Sequence, residues 1–207
     1  MRITIKYTLA LLLTIAAVSA SPDFSKAQAA NSGDKQPRAE VAVGYSYLHS
    51  NAPPGGCGCF NMNGGNATFA WPVKQGGFAV VGDVTVEYAS GIGSGDLNLK
   101  LASFTAGTRY LPRIGHNSQN LTKLQPFGQV LVGLAHASGT LAGTGTPAAV
   151  NAGAAFAAIM GGGVDLRLSR SISLRLAEAD YMLTTAHNDT NNHQNNFRIG
   201  AGVVFHF

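Results

Sequence analysis

The residues able to do chemistry are few and widely spaced. Cys57-Gly58-Cys59 holds both thiols of the 207-residue chain. In an oxidising compartment two such thiols pair. A bridge across one residue needs a tight turn at Gly58, because an extended chain holds the Cα atoms at or beyond the disulfide limit. Pairing with another molecule is the alternative. A C-x-C pair without further Cys or clustered His is a weak metal signal, and His187 and His193 read as solvated loop side chains. Neither a metal nor a cofactor is expected. A second combination is His136-Ala137-Ser138, where a spacing of two puts imidazole and hydroxyl on one face of a strand, the face that also carries Val130, Val132 and Leu134.

Charged side chains form the third group. Asp83, Glu87, Arg109, Asp165, Arg167, Arg175 and Arg198 fall opposite the apolar row of their segments, and Glu40 lies beside the last segment. Asp180 joins them if a bulge near Glu178 returns it to that face and points Tyr181 away. Together they predict an ion-pair network in an interior just wide enough for side chains to fill. Glu87 or Asp83 is expected to approach Arg109 across a hairpin. A conductive path is the alternative, because glycines on the same face, such as Gly44 and Gly133, leave room for water.

Such a network has to be held by strands, and composition agrees. Charged residues make up only 12% of the chain, glycines number 26 and mean hydropathy is +0.10. A charged helical protein and a disordered tail are both excluded. The formal charge is +4, yet Lys and Arg fall singly, without the clusters that phosphate contacts require, so nucleic acid is not an expected partner. At the N-terminus Arg2 and Lys6 precede an apolar stretch from Leu9 to Val18, then small residues, which reads as a cleavable export signal over 1–29. Val18-Ser19-Ala20 competes with the favoured site at Ala27-Gln28-Ala29. A short segment, 30–37, would lead into one domain over 38–207.

Within that domain apolar and polar residues alternate with period two, as in Phe78, Val80, Val84, Val86 and Tyr88 against Ala79, Asp83, Thr85 and Glu87. Comparable rows run through 41–47, 68–73, 104–110, 127–135, 156–168, 172–183 and 197–207, giving eight strands. Their aromatic residues gather at the ends. Trp71, Phe78, Tyr110, Phe127, Phe205 and Phe207 fall at one, and Tyr47, Tyr88, Phe104, Phe156, Tyr181 and Phe197 at the other. Two such girdles mark the water interfaces of a membrane-spanning barrel. Segments 50–65, 89–96, 137–153 and 185–195, rich in Gly, Asn, Ser and Thr, read as outer loops.

The ending Phe197-Arg198-Ile199-Gly200-Ala201-Gly202-Val203-Val204-Phe205-His206-Phe207 resembles the C-terminal assembly signal of bacterial outer-membrane barrels, with Val203, Phe205 and Phe207 in its apolar row. FTAGTRY (104–110), PFGQVLVG (126–133) and GGGVDLRLS (161–169) are similar to stretches of the small outer-membrane β-barrel family of the OmpA-like type. The resemblance covers residues 38–207. It implies an all-β, eight-stranded antiparallel transmembrane up-and-down barrel in the bacterial outer membrane. Such a protein is exported through its signal, recognised by the outer-membrane assembly machinery, surrounded by outer-membrane lipids and monomeric. The role expected of this chain is non-enzymatic, structural or in surface interaction, with an extracellular ligand reached through the loops; the alternatives are a small passive channel and, after it, a lipid A-modifying hydrolase using His136 and Ser138. The His136 and Ser138 pair resembles that of outer-membrane lipid A deacylases, where His serves as base for a Ser nucleophile. That family orients its His with a downstream Glu, whereas nothing acidic lies between Ser138 and Asp165.

Overall fold

The structure is a computed structural model that describes residues 38–50, 59–73, 77–92, 96–112, 123–141, 154–185 and 193–207, without the side chains of 140 and 141. The expected export signal over 1–29, the segment 30–37, Cys57 and His187 lie outside the described residues. Eight strands follow one another in the chain: β1 (Glu40–Ser50), β2 (Phe60–Pro72), β3 (Phe78–Ile92), β4 (Leu97–Tyr110), β5 (Leu124–Leu141), β6 (Ala154–Arg167), β7 (Ile172–Thr184) and β8 (Gln194–His206). Each pairs antiparallel with its neighbour in sequence, and β8 pairs with β1, so the sheet closes into an up-and-down barrel without an edge. Closure runs over the whole of β1, from Glu40 opposite His206 to Ser50 opposite Asn196, and the amide of Phe207 donates to the carbonyl of Ala39 at 2.9 Å.

Period-two alternation sets the two faces, and burial is inverted relative to a water-soluble sandwich. Asp83, Arg109 and Arg198 are buried, while Val80, Phe104, Val132, Met160 and Phe197 are exposed. No soluble fold gains by this, because it leaves apolar area in water and takes charge out of it. Around the outside the apolar row is continuous across strands, with Phe104 opposite Leu134 and Leu134 opposite Phe156. Where successive strands crowd together, glycine is obligatory. A Cβ on Gly107 would lie 2.1 Å from the carbonyl oxygen of Val130, and one on Gly133 equally close to that of Phe104.

The strands are longer than their apolar rows. β2 begins at Phe60, β4 at Leu97, and β5 runs to Leu141, so 60–65 and 137–141 are strand where composition reads loop. About 9–11 residues suffice to cross the hydrocarbon, and β5 has 18. Beyond the apolar zone outward positions are free to be polar, as Asn61 and Asn63 are. Only the inward Met62, almost fully buried, keeps the alternation visible. On the β2–β3 side the ends are tight. The amide of Val73 donates to the Phe78 carbonyl at 2.8 Å, and Gly77, at φ +76°, accepts from the Leu111 amide at 2.7 Å.

The expected bulge is present in β7. Asp165 pairs with Arg175 and Val164 with Ala177, leaving Leu176 over, and the register against β8 shifts between Arg175 and Glu178. Leu176 and Ala177 both point outward. The extra residue returns Glu178 together with Asp180 to the interior and leaves Tyr181 exposed.

Candidate functional site

The lumen holds the charged groups in one connected arrangement. Arg175 binds Asp165 with two parallel hydrogen bonds, Nε to Oδ1 at 2.9 Å and Nη2 to Oδ2 at 3.1 Å, and its Nη1 donates to Glu178 at 2.7 Å. Arg198 donates to Asp180 at 2.7 and 3.1 Å, to Asp83 at 3.0 Å and to the Thr85 hydroxyl at 2.8 Å. It also lies 3.5 Å from Glu178. Gln129 couples this set to Arg109: its amide donates to Glu178 at 2.7 Å and to Asp180 at 3.3 Å, and its carbonyl accepts from Arg109 at 2.9 and 3.2 Å. Glu40 reaches Arg109 at 3.8 Å from the barrel's end. Charge-assisted bonds of this kind are the strong ones, and in a buried site each removed partner leaves a costly bare charge.

Most of the charged residues expected in the interior are found there, but two expectations fail. Arg109 meets neither Asp83 nor Glu87. Its ladder partner on β3 is Ala79, and Asp83 lies four residues further along, about 13 Å at strand rise. Asp83 is instead taken by Arg198 from the other side of the barrel, and Glu87 accepts from the Ser46 hydroxyl. Arg167 stays out of the network. It follows Asp165 on the inward parity but sits in the last turn of pleat before 168–171, where its Nε donates to the Ser169 carbonyl at 3.3 Å.

A third correction concerns Phe127, expected in the girdle with Trp71 and Phe78, at the end opposite the outer loops. It shares parity with Gln129 and Leu131, and it is buried at 6%. Two guanidiniums lie against its ring, with the Arg109 carbon 4.2 Å and the Arg175 carbon 4.4 Å from its centre. Both distances are within the range of a cation–π contact. Glu178 was missing from the sequence-based network. Placing the bulge at Leu176–Ala177 would have found it.

At the barrel's end Ser173 Oγ and His206 Nε2 are 2.7 Å apart, and His206 Nδ1 lies 3.3 Å from Glu40. The order hydroxyl, imidazole, carboxylate is that of an acyl-transfer triad. Ser173, however, is 0% exposed, and no substrate carbonyl reaches a hydroxyl sealed in that way. The chain ties β7, β8 and β1 together across the closing seam. His136, at the outer face, has no hydrogen bond to Ser138 among the described residues, and Ser138 is paired with Lys100 in the ladder. Cys59 is exposed just before β2. The bridge expected to Cys57 lies outside the described residues.

Toward the loop ends of β1, β2 and β7 the interior turns apolar. Leu48, Met62 and Met182 pack there in a cluster with Leu131 and Ile159, all almost fully buried. On the outside at that end polar side chains pair with aromatic ones. Tyr45 bonds Asn63, Tyr181 bonds Asn195, and the Lys100 ammonium lies 5.4 Å from the centre of the Tyr88 ring.

No family model matches the sequence, and no curated protein matches it. Solved structures resemble it. Neisserial surface protein A has a TM-score of 0.63 at 16% identity, covering 82% of this chain and 97% of that one. Ail, the attachment invasion locus protein of Yersinia pestis, has a TM-score of 0.55 at 16% identity over 83% and 99%. The outer membrane protein OprG of Pseudomonas aeruginosa has a TM-score of 0.50 at 12% identity over 83% and 97%. The likeness is one of fold: this chain forms a small eight-stranded barrel of the outer-membrane type.

Proposed function

We propose that the protein is a non-enzymatic barrel of the bacterial outer membrane, serving envelope structure or surface interaction through the connections at its loop end. The observation that carries this reading is the inverted burial, with an apolar belt outside and a packed, charged core inside. Lipid is the solvent such a surface fits. The apolar cluster around Leu48, Met62 and Met182 fills the interior with side chains and supports a plugged barrel over a channel. Outward Asn, Tyr and Lys side chains beyond the belt suit the headgroup zone. One related fold, Ail, is named for attachment and invasion, and has been solved with the heparin analogue sucrose octasulfate. That supports placing an interaction role at the loop end here. Membrane lipids, the assembly machinery reading Val203, Phe205 and Phe207, and a loop ligand are the partners of this monomeric barrel.

Cys59 supplies the test. In intact, reduced cells a membrane-impermeant maleimide should label it, and heat should change the gel mobility of the labelled protein. A Cys57→Ser background restricts the label to Cys59. Labelling only after lysis would reverse the orientation, and unchanged mobility with protein in the soluble fraction would overturn the barrel reading.

A further inference from the structure

The charges of the lumen do not balance. Among the described residues five carboxylates are buried, Asp83, Glu87, Asp165, Glu178 and Asp180, against the guanidiniums of Arg109, Arg175 and Arg198. Part of the excess lies on β3, which carries Asp83 and Glu87. Arg175 answers Asp165 and Glu178, whereas Arg198 is divided between Asp180 and Asp83. Glu87, 2% exposed, has the Ser46 hydroxyl as its hydrogen-bond partner and no cation within ion-pair distance among the described residues.

Two polar atoms beside this excess have no partner, Asp83 Oδ2 and Thr105 Oγ1. Both residues are 0% exposed, and they stand directly opposite each other on β3 and β4. The other carboxylate oxygen, Asp83 Oδ1, already takes Arg198 and the Thr85 hydroxyl at 2.9 Å. Orphaned buried oxygens in a region of surplus negative charge call for a positive guest. A carboxylate oxygen and a hydroxyl oxygen on directly opposed residues, without nitrogen or sulfur, are a donor set for a hard cation. We propose that the lumen binds a small alkali cation, of sodium size, between Asp83 Oδ2 and Thr105 Oγ1. The ion replaces part of the missing positive charge and joins β3 to β4 inside the barrel.

The test is heat unfolding of the folded protein in detergent at constant ionic strength, with EDTA present throughout. Sodium chloride is exchanged for N-methylglucamine chloride, whose cation is too large to enter. Constant ionic strength keeps the screening of surface charge unchanged. Sodium should raise the midpoint by at least about 3 °C, as ligand linkage requires. Thr105→Val should abolish that rise while leaving the midpoint in N-methylglucamine no lower than wild type, because the hydroxyl it removes makes no bond there. Equal wild-type midpoints in the two salts would overturn the proposal and assign the two oxygens to water. A sodium response that survives in Thr105→Val would remove the ion from this site. Stability that rises on acidification without any cation dependence would mean that protons balance the carboxylates.

Discussion

Glu178 ties three of the network's groups together, binding Arg175, facing Arg198 and accepting from Gln129. Removing a guanidinium from such a set bares its carboxylates. Arg198→Met should therefore cost about 3–5 kcal/mol in urea unfolding of the detergent-folded barrel, with Asp83 and Asp180 left unpaired. Arg167→Gln removes a charge outside the network and should shift the same measurement by less than about 0.5 kcal/mol. Phe127→Leu keeps an apolar side chain but loses two cation–π contacts, each worth about 1–2 kcal/mol when desolvated; equal stability would mean that the ring is filler. Face parity was legible for Asp83, Arg109 and Arg198, since it needs only the period of a strand. Partner choice was not, because Arg198 crosses the barrel to Asp83 and that depends on all the intervening registers. For Phe127 the two signals conflict, its aromatic type at a strand end pointing to a girdle and its parity with Gln129 and Leu131 pointing inward.

At the level of strands the bulge at Leu176–Ala177 decides which half of β7 faces inward. Deleting Ala177 should turn either Ser173 and Arg175 or Glu178 and Asp180 toward lipid, where a midplane Arg costs about 2–4 kcal/mol. The variant should fail to show heat-modifiable mobility, while Ala177→Ser, which keeps the count, should retain it. Phe207 follows β8 in its outward row and is 62% exposed, and its backbone amide donates the hydrogen bond to the Ala39 carbonyl. Deleting it should slow insertion and raise degradation in cells while scarcely altering the unfolding of refolded protein. Normal assembly with reduced refolded stability would make Phe207 an interface anchor instead. All eight strands were legible where apolar rows are unbroken. The starts of β2 and β4 were not, because outside the hydrocarbon an outward Asn61 or Lys100 costs nothing and the period loses its contrast.

For the molecule as a whole, a barrel filled by Leu48, Met62, Leu131, Ile159 and Met182 at one end and by ion pairs below should give no stable single-channel conductance in planar bilayers. Discrete, voltage-independent openings would contradict the packing. The positions of the paired groups along the chain add a constraint of timing. Asp83 comes from the third strand and its guanidinium from the eighth; Asp165 of the sixth strand has its guanidinium on the seventh. Without the last strand Asp83 and Asp180 lack the guanidinium that pairs them. The same groups that stabilise the finished cylinder thus penalise each shorter one. A chain truncated before β8 should therefore carry an electrostatic penalty that the complete barrel does not.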